Sequence, residues 1–218
     1  MVKHVIVIDI VGLERKHISE NITPNIFKIS QTGATSELET VFPAVTCTVQ
    51  SSLLSGSYPE VHGIISNGLY DRQHYTVSFW EQSSNLVQAD RVWDTIKMHG
   101  SGSKIAVLFW QNTMYSNADL VLTPRPLHMD DRMIMWCYSK PPGFYEKLIE
   151  KIGKFDLTWY WGPLVSKKSS EWIEKATEFV LENEKPSLLF TYIPHLDYSF
   201  QKNGTSYKDL KDDLKFVD

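Results

Sequence analysis

The 218-residue chain has no cysteine framework. Cys47 and Cys137 are its two cysteines, too few and too far apart to staple a fold. No apolar run approaches the roughly 18–20 residues of a membrane-spanning helix. Positive charge is not in excess either. The 22 Lys and Arg stand against 26 Asp and Glu, a net charge of −4, so the basic stripe that would mark a nucleic-acid partner is missing. The start, Met1-Val-Lys-His4, lacks the layout of a secretory leader. The expectation is a cytoplasmic protein without a membrane partner, and the sequon Asn203-Gly-Thr205 reads as a chance match. The chain also contains no G-x-x-x-x-G-K-S/T, G-x-G-x-x-G, H-E-x-x-H or G-x-S-x-G. Kinase, dinucleotide-enzyme, zincin and serine-esterase chemistry are therefore unsupported.

Hydrophobic residues at 42% and charged residues at 22% suit one globular domain large enough for a sizeable core. Val2 to Ile10 is a β-branched run of the kind buried on both faces of a parallel sheet. Thr23-Pro24-Asn25 opens a helix to about Gln31, stopped by Gly33. Thr35 to Val41 reads as a second strand, and Thr46 to Leu54 as a helix ended by Gly56. Asn67 to Gln88 is polar, aromatic and poorly periodic, and reads as irregular structure over a site. Further on come a helix over Arg91–Met98, a buried strand over Lys104–Trp110, and a short strand over Leu120–Thr123 stopped by Pro124 and Pro126. The long helices start at Pro141 and Ser169, Ser187–Ile193 is a strand, and Tyr207–Phe216 starts a last helix with nothing evident to pack on. Alternating strands and helices imply an α/β fold with a mostly parallel sheet flanked by helices, as one domain over 1–218. There is no internal repeat.

The densest stretch is Thr40-Val-Phe-Pro-Ala-Val-Thr46-Cys-Thr-Val-Gln-Ser-Ser-Leu-Leu-Ser-Gly56-Ser-Tyr-Pro-Glu-Val-His-Gly-Ile64. Hydroxyls at a helix start meet free backbone N–H groups and the positive end of the macrodipole, which makes an anion site. Thr46 is the candidate nucleophile. A threonine hydroxyl is a weak one, so the hypothesis needs a base or a metal ion; the competing reading is a plain helix cap. Cys47 lacks the arginine of a C-x5-R loop, because Leu53 stands there, and reads as a small buried residue. Asp9 sits near the carboxyl end of the first strand, where ligands bind in doubly wound sheets. An acid among Val and Ile there is paired, backbone-bonded or metal-binding. His195 and Asp197 follow the last clear strand. If the extended chain continues, they point to one side and reach one metal ion together; the competing reading is an ordinary turn. His62, beyond the far end of the helix, reads as structural. The aromatics Tyr70 to Trp80 and Trp159-Tyr-Trp161 read as core or as a surface for a base or sugar.

Phe42-Pro-Ala-Val-Thr46, Gln50-Ser-Ser-Leu-Leu-Ser-Gly56 and Tyr58-Pro-Glu-Val-His-Gly-Ile64, with Thr23-Pro-Asn25, Gly33 and Tyr192 to Asp197, resemble the alkaline phosphatase superfamily. The nearest branch is the type I phosphodiesterase/nucleotide pyrophosphatase group that includes phosphonoacetate hydrolase. The resemblance implies an alkaline phosphatase-like core. It also implies a hydrolase that cleaves a phosphodiester, pyrophosphate or phosphonate through a phospho-threonine on Thr46, with two divalent metal ions, zinc by the family's habit and manganese or magnesium as alternatives. The partner is a small phosphorylated substrate such as a nucleotide. Thr46 and Asp9 are the implied ligands, Asp197 opens the D-x-x-x-H metal motif, and His195 and Gln201 are further ligand candidates. This chain departs from the pattern at Val11, where the first-strand Asp is expected, and at Gln201, where the His is expected. The family's later Asp-His-Gly block is absent before Asp218, so the chain is expected to be the N-terminal portion of a longer enzyme. The alternatives are a degenerate member that binds a phosphorylated ligand or a protein partner, and a transferase or mutase.

Overall fold

Short apolar runs pair side by side here, and the central ones, Ile105–Leu108 and Leu188–Ile193, are buried on both faces. The first run, expected to be buried on both faces, instead ends the sheet with Val5, Ile6 and Ile8 exposed. The computed structural model describes residues 4–100, 102–204 and 210–218. Its sheet is built from β1 (Val5–Ile10), β4 (Ile105–Leu108), β5 (Leu120–His128), β6 (Met133–Lys140) and β7 (Leu188–Ile193), in the order β1-β7-β4-β5-β6. All neighbours are parallel except β5 and β6, which are antiparallel. Between β1 and β4 come α1 (Pro24–Thr32), α2 (Thr46–Ser55), α3 (Pro59–His62) and α4 (Val92–Met98), and between β6 and β7 come α5 (Phe144–Ile152) and α6 (Lys168–Phe179). β4 reaches its parallel neighbour β5 through residues 109–119 without a helix. After β7 come α7 (His195–Asn203) and α8 (Lys211–Val217). The α/β expectation with a mostly parallel, helix-flanked sheet is met.

The core follows from this layering. β4 lies centrally, and Ile105, Ala106, Val107 and Leu108 are completely buried. They pack with Trp93 of α4, Leu148 of α5, Ile173 and Ala176 of α6, and Leu189 and Phe190 of β7. A smaller cluster joins Leu196 of α7 to Leu210 and Leu214 at the C-terminal helix. The last helix is therefore packed, contrary to the sequence expectation. Moreover, the Asp218 carboxylate accepts from the Asn25 and Ile26 backbone N–H groups at 3.1 and 2.9 Å, at the start of α1. No helix among the described residues is long and apolar enough to cross a membrane.

Three local expectations fail for identifiable reasons. Thr35–Val41 forms no strand, and residues 31–40 are all exposed; β-propensity makes no strand without a partner ladder. The Asn67–Gln88 segment is not wholly irregular, because β2 (Gly68–Asp71) and β3 (Thr76–Phe79) pair as an antiparallel hairpin. Its turn is closed by the Asp71 carboxylate, which accepts from the Gln73 and His74 N–H groups. Pro124 and Pro126 do not stop β5. Beyond Leu122 that strand pairs with β6 alone, so the missing N–H groups, two residues apart, face the unpaired side. The first two residues of the expected Val2–Ile10 strand lie outside the described residues, as do the first three of the last helix. Leu189, fully buried between β1 and β4, tests the core: Leu189→Ala is expected to cost about 2–5 kcal/mol in urea unfolding.

Candidate active site

The carboxyl ends of β1 and β7 meet the N-terminus of α2, and the junction is where the candidate residues gather. α2 begins after Val45, whose extended backbone ends the Pro43–Val45 approach. Thr46 is thus the first helical residue and not the cap, and Val45 supplies no side-chain cap bond. Asn67, just before β2, clamps this corner by accepting the Cys47 N–H on its Oδ1 at 2.9 Å. At the other end of the motif, His62 is completely buried. Its Nε2 bonds Ser52 Oγ at 2.8 Å and its Nδ1 accepts the Ile64 N–H, so its role is structural, as read.

Thr46 opens onto a cleft of about 1070 Å³. Tyr192, Asp197 and Gln201 line the cleft, together with the aromatics Trp80, Tyr160 and Trp161. Tyr192 lines the cleft together with Thr46, and burial, then the charges of Asp197 and Asp9, hold its pKa well above the ordinary tyrosine value. Its hydroxyl therefore keeps its proton. Asp9 is in register with Tyr192 across β1 and β7, and in-register neighbours project to the same face of a sheet. The structure therefore brings Thr46, Asp9, Asp197 and Gln201 to one region around Tyr192.

Both acids are unusual. Burial raises the pKa of Asp9, opposed by a hydrogen bond from Gln50 Nε2 at 2.9 Å. Burial raises that of Asp197 as well, opposed by Gln201 Nε2 at 2.6 Å. Among the described residues neither has an Arg or Lys partner, and no Lys or Arg lines the cleft. Two desolvated carboxylates with only amide donors are suited to a cation. Among the described residues, however, no group of three or more His, Cys, Asp or Glu could hold one. The residues present thus fit the oxygen-donor side of a divalent ion's shell and not a complete cage.

His195 does not join them. The extended chain does not continue past β7. Instead α7 starts at His195, and at about 100° per residue His195 and Asp197 leave the helix on opposite sides. His195 Nε2 bonds Asp213 Oδ1 at 2.8 Å, and its ring packs against Phe216. Gln201, one turn after Asp197, donates to that carboxylate. Cys47 is 3% exposed, and burial pushes its thiol up to about 12, which removes it as a nucleophile. Of the aromatics, Tyr160 is core, Trp80 and Trp161 touch at 5.2 Å, and Tyr70, Tyr75 and Phe79 are exposed. Sequence reasoning gave no role to Gln50, Asn67, Gln111 or the Tyr192 hydroxyl. The available signal was Gln50 at four residues from Thr46, a polar side chain on a buried helix face.

The description "Type I phosphodiesterase / nucleotide pyrophosphatase" matches residues 5–218. An uncharacterised pyrophosphatase/phosphodiesterase of Schizosaccharomyces pombe is 24% identical over 98% of this chain and 38% of its own length. Ectonucleotide pyrophosphatase/phosphodiesterase family member 3 of Bos taurus is 31% identical over 41% of this chain and 10% of its own. Among solved structures, phosphonoacetate hydrolase of Sinorhizobium meliloti 1021 in complex with phosphonoacetate aligns with a TM-score of 0.59 and 17% identity, covering 98% of this chain and 54% of that one. Murine ectonucleotide pyrophosphatase/phosphodiesterase 5 in complex with AMP gives 0.62 and 15%, covering 99% and 49%. The fold is alkaline phosphatase-like. The chain spans 38% of the yeast relative and about half of each solved relative.

The two raised carboxyls make a signed prediction. A carboxyl with a higher pKa folded than unfolded stabilises the fold at low pH, and that stability is lost as pH rises from the unfolded value through the folded one. With a chelator present, Asp9→Asn and Asp197→Asn are each expected to raise the melting temperature at pH 7 and to flatten its fall with rising pH above the ordinary carboxylate range.

Proposed function

The chain belongs to the type I phosphodiesterase/nucleotide pyrophosphatase family, a hydrolase family, and from that premise we propose that Thr46 is the nucleophile of a metal-dependent phosphohydrolase. The substrate is a phosphodiester, pyrophosphate or phosphonate. The observation that carries the reading is the placement of Thr46. It is the first residue of a ten-residue helix, lines the cleft with Tyr192 and Asp197, and lies near two desolvated acids without basic partners.

In the first half-reaction the Thr46 hydroxyl loses its proton, its oxygen bonds to phosphorus, and the leaving group departs with the bonding electron pair and takes a proton. In the second, water adds to phosphorus, the Thr46 oxygen–phosphorus bond breaks, and Thr46 regains its proton. Tyr192, held protonated by burial, forms the cleft wall near the Thr46 oxygen. The α2 N-terminus offers its dipole to the phosphoryl oxygens. Asp9 and Asp197 would hold the divalent cation, with the Gln201 carbonyl oxygen as a further donor. Such an ion, when bound, lowers the pKa of an alcohol and screens phosphoryl charge. An all-oxygen donor set favours manganese or magnesium over zinc. The proposed substrate is small and phosphorylated. The cleft walls of Trp80, Tyr160 and Trp161 present flat apolar surface to its leaving group.

A second reading has its own observation. Gln201 stands where a histidine ligand is expected and is engaged with Asp197, and no cage of three ligands exists among the described residues. Those facts suit a member that binds a phosphorylated ligand without turning it over. Acid quench of the metal-loaded protein with a p-nitrophenyl phosphodiester, followed by peptide mass spectrometry, separates the two. The catalytic reading expects a phosphoryl adduct on Thr46 and its absence in Thr46→Ala, with turnover reduced by about 10³ or more. Binding of the diester with no adduct in either protein supports the second reading.

A further inference from the structure

Three glutamines lie beneath the cleft, each nearly inaccessible: Gln50 at 1%, Gln111 at 2% and Gln82 at 3% exposure. The carboxamides of Gln82 and Gln111 bond each other, and that of Gln50 joins them through the Gln111 backbone N–H. Gln50 Nε2 donates to Asp9 Oδ2 at 2.9 Å while Gln50 Oε1 accepts the Gln111 backbone N–H at 2.8 Å. The Gln111 side chain donates to the Tyr160 hydroxyl at 3.1 Å and accepts from Gln82 Nε2 at 2.6 Å. Gln82 Nε2 also donates to the Trp80 carbonyl at 3.0 Å, and Gln82 Oε1 accepts from Thr123 Oγ1 at 3.2 Å and from the Asn112 N–H at 3.3 Å. A route of hydrogen bonds thus runs from the Asp9 carboxylate to the Tyr160 hydroxyl and the Trp80 backbone carbonyl.

The backbone on this route is strained. Trp80, Phe109 and Asn112 have φ of 61°, 62° and 53°, left-handed values that cost a non-glycine residue about 1–3 kcal/mol each and persist only where surrounding contacts over-determine them. Each has a backbone polar group bonded by one of these carboxamides. Gln82 takes the Trp80 carbonyl and the Asn112 N–H, and Gln111 Nε2 reaches the Phe109 carbonyl at 3.5 Å. A buried network in which every member is satisfied specifies one arrangement. Because amides do not ionise, it does so without neutralising Asp9.

We propose that Gln50 is a positioning residue that fixes the Asp9 carboxylate, and that it is the first link of a hydrogen-bonded route, through the Gln111 backbone and the Gln111 and Gln82 carboxamides, tying Asp9 to the Tyr160 hydroxyl and the Trp80 backbone. The proposal rests on the reading of Asp9 as a cation ligand only for its functional consequence; the geometry stands apart from it. Gln50→Met keeps the side chain's length and removes both bonds. Residues that orient a metal-binding carboxylate typically contribute 10–100-fold to affinity.

Two measurements test it. In the metal-free protein, NMR is expected to show the Gln50 side-chain amide protons protected from water exchange. Asp9→Ala should release that protection and shift the Gln82 amide and Trp80 indole resonances. A freely exchanging Gln50 amide, or a perturbation that stops at Gln50, overturns the inference whatever the metal does. In calorimetric titration with manganese, folded Gln50→Met is expected to bind roughly 10–100-fold more weakly than wild type. Wild-type affinity in Gln50→Met, with affinity lost in Asp9→Asn, sinks the positioning role while sparing the metal reading. Equal affinity in wild type and Asp9→Asn sinks the metal reading, and the exchange data then decide the inference alone.

Discussion

Burial of negative charge without a positive side chain to answer it is the constraint around which this molecule is arranged. Asp9 and Asp197 come from strand and helix ends that the sheet topology forces together, and burial resists the ionisation of both. A fold optimised for stability alone would place an arginine there, or remove the acids. The chain instead gives each a neutral amide donor, Gln50 to Asp9 and Gln201 to Asp197, with the neutral Tyr192 nearby. The arrangement leaves an electrostatic demand that a cation can meet, beside a hydroxyl at a helix N-terminus. Stability is spent locally where function needs a poised site.

The architecture was readable because its cause is local and repetitive. The runs around Ile105 and Leu188 are apolar on both faces, and only a buried parallel strand accommodates that. The helices starting near Pro24, Pro141 and Ser169 carry their own start and stop signals. What was unreadable depended on partners distant in sequence. Thr35–Val41 has strand-like residues but no ladder, while Pro124 and Pro126 look like breakers yet sit on a side of β5 that needs no donor. Neither fact is written within the segment itself.

The site divides in the same way. Thr46 was legible because a hydroxyl at a helix start, before a dense Gly/Pro-bounded motif, has few chemical uses. Asp9 was legible because an acid in a β-branched strand demands explanation. His195 was misplaced because the reading assumed that β7 runs on, whereas α7 begins at that residue and turns it toward Asp213. The glutamines were passed over because an amide has no intrinsic signal of charge or reactivity. Gln50, Gln82 and Gln111 are 29 or more positions apart in sequence and acquire meaning only when burial leaves each with a specific partner.

β1 ends the sheet, with β7 on one side and no strand among the described residues on the other. Val5 and Ile8 are each 56% exposed along it. Edge strands with few buried contacts open at lower free energy than the interior, and this one carries Asp9. The two acids of the site therefore differ in mechanical standing: Asp197 rides on a helix seated against the interior, Asp9 on the sheet's margin. An ion shared between them would act as a rivet. Part of its binding free energy would be stored as cohesion of the outer strand, so amide exchange along β1 would register occupancy of the cleft without reference to any substrate.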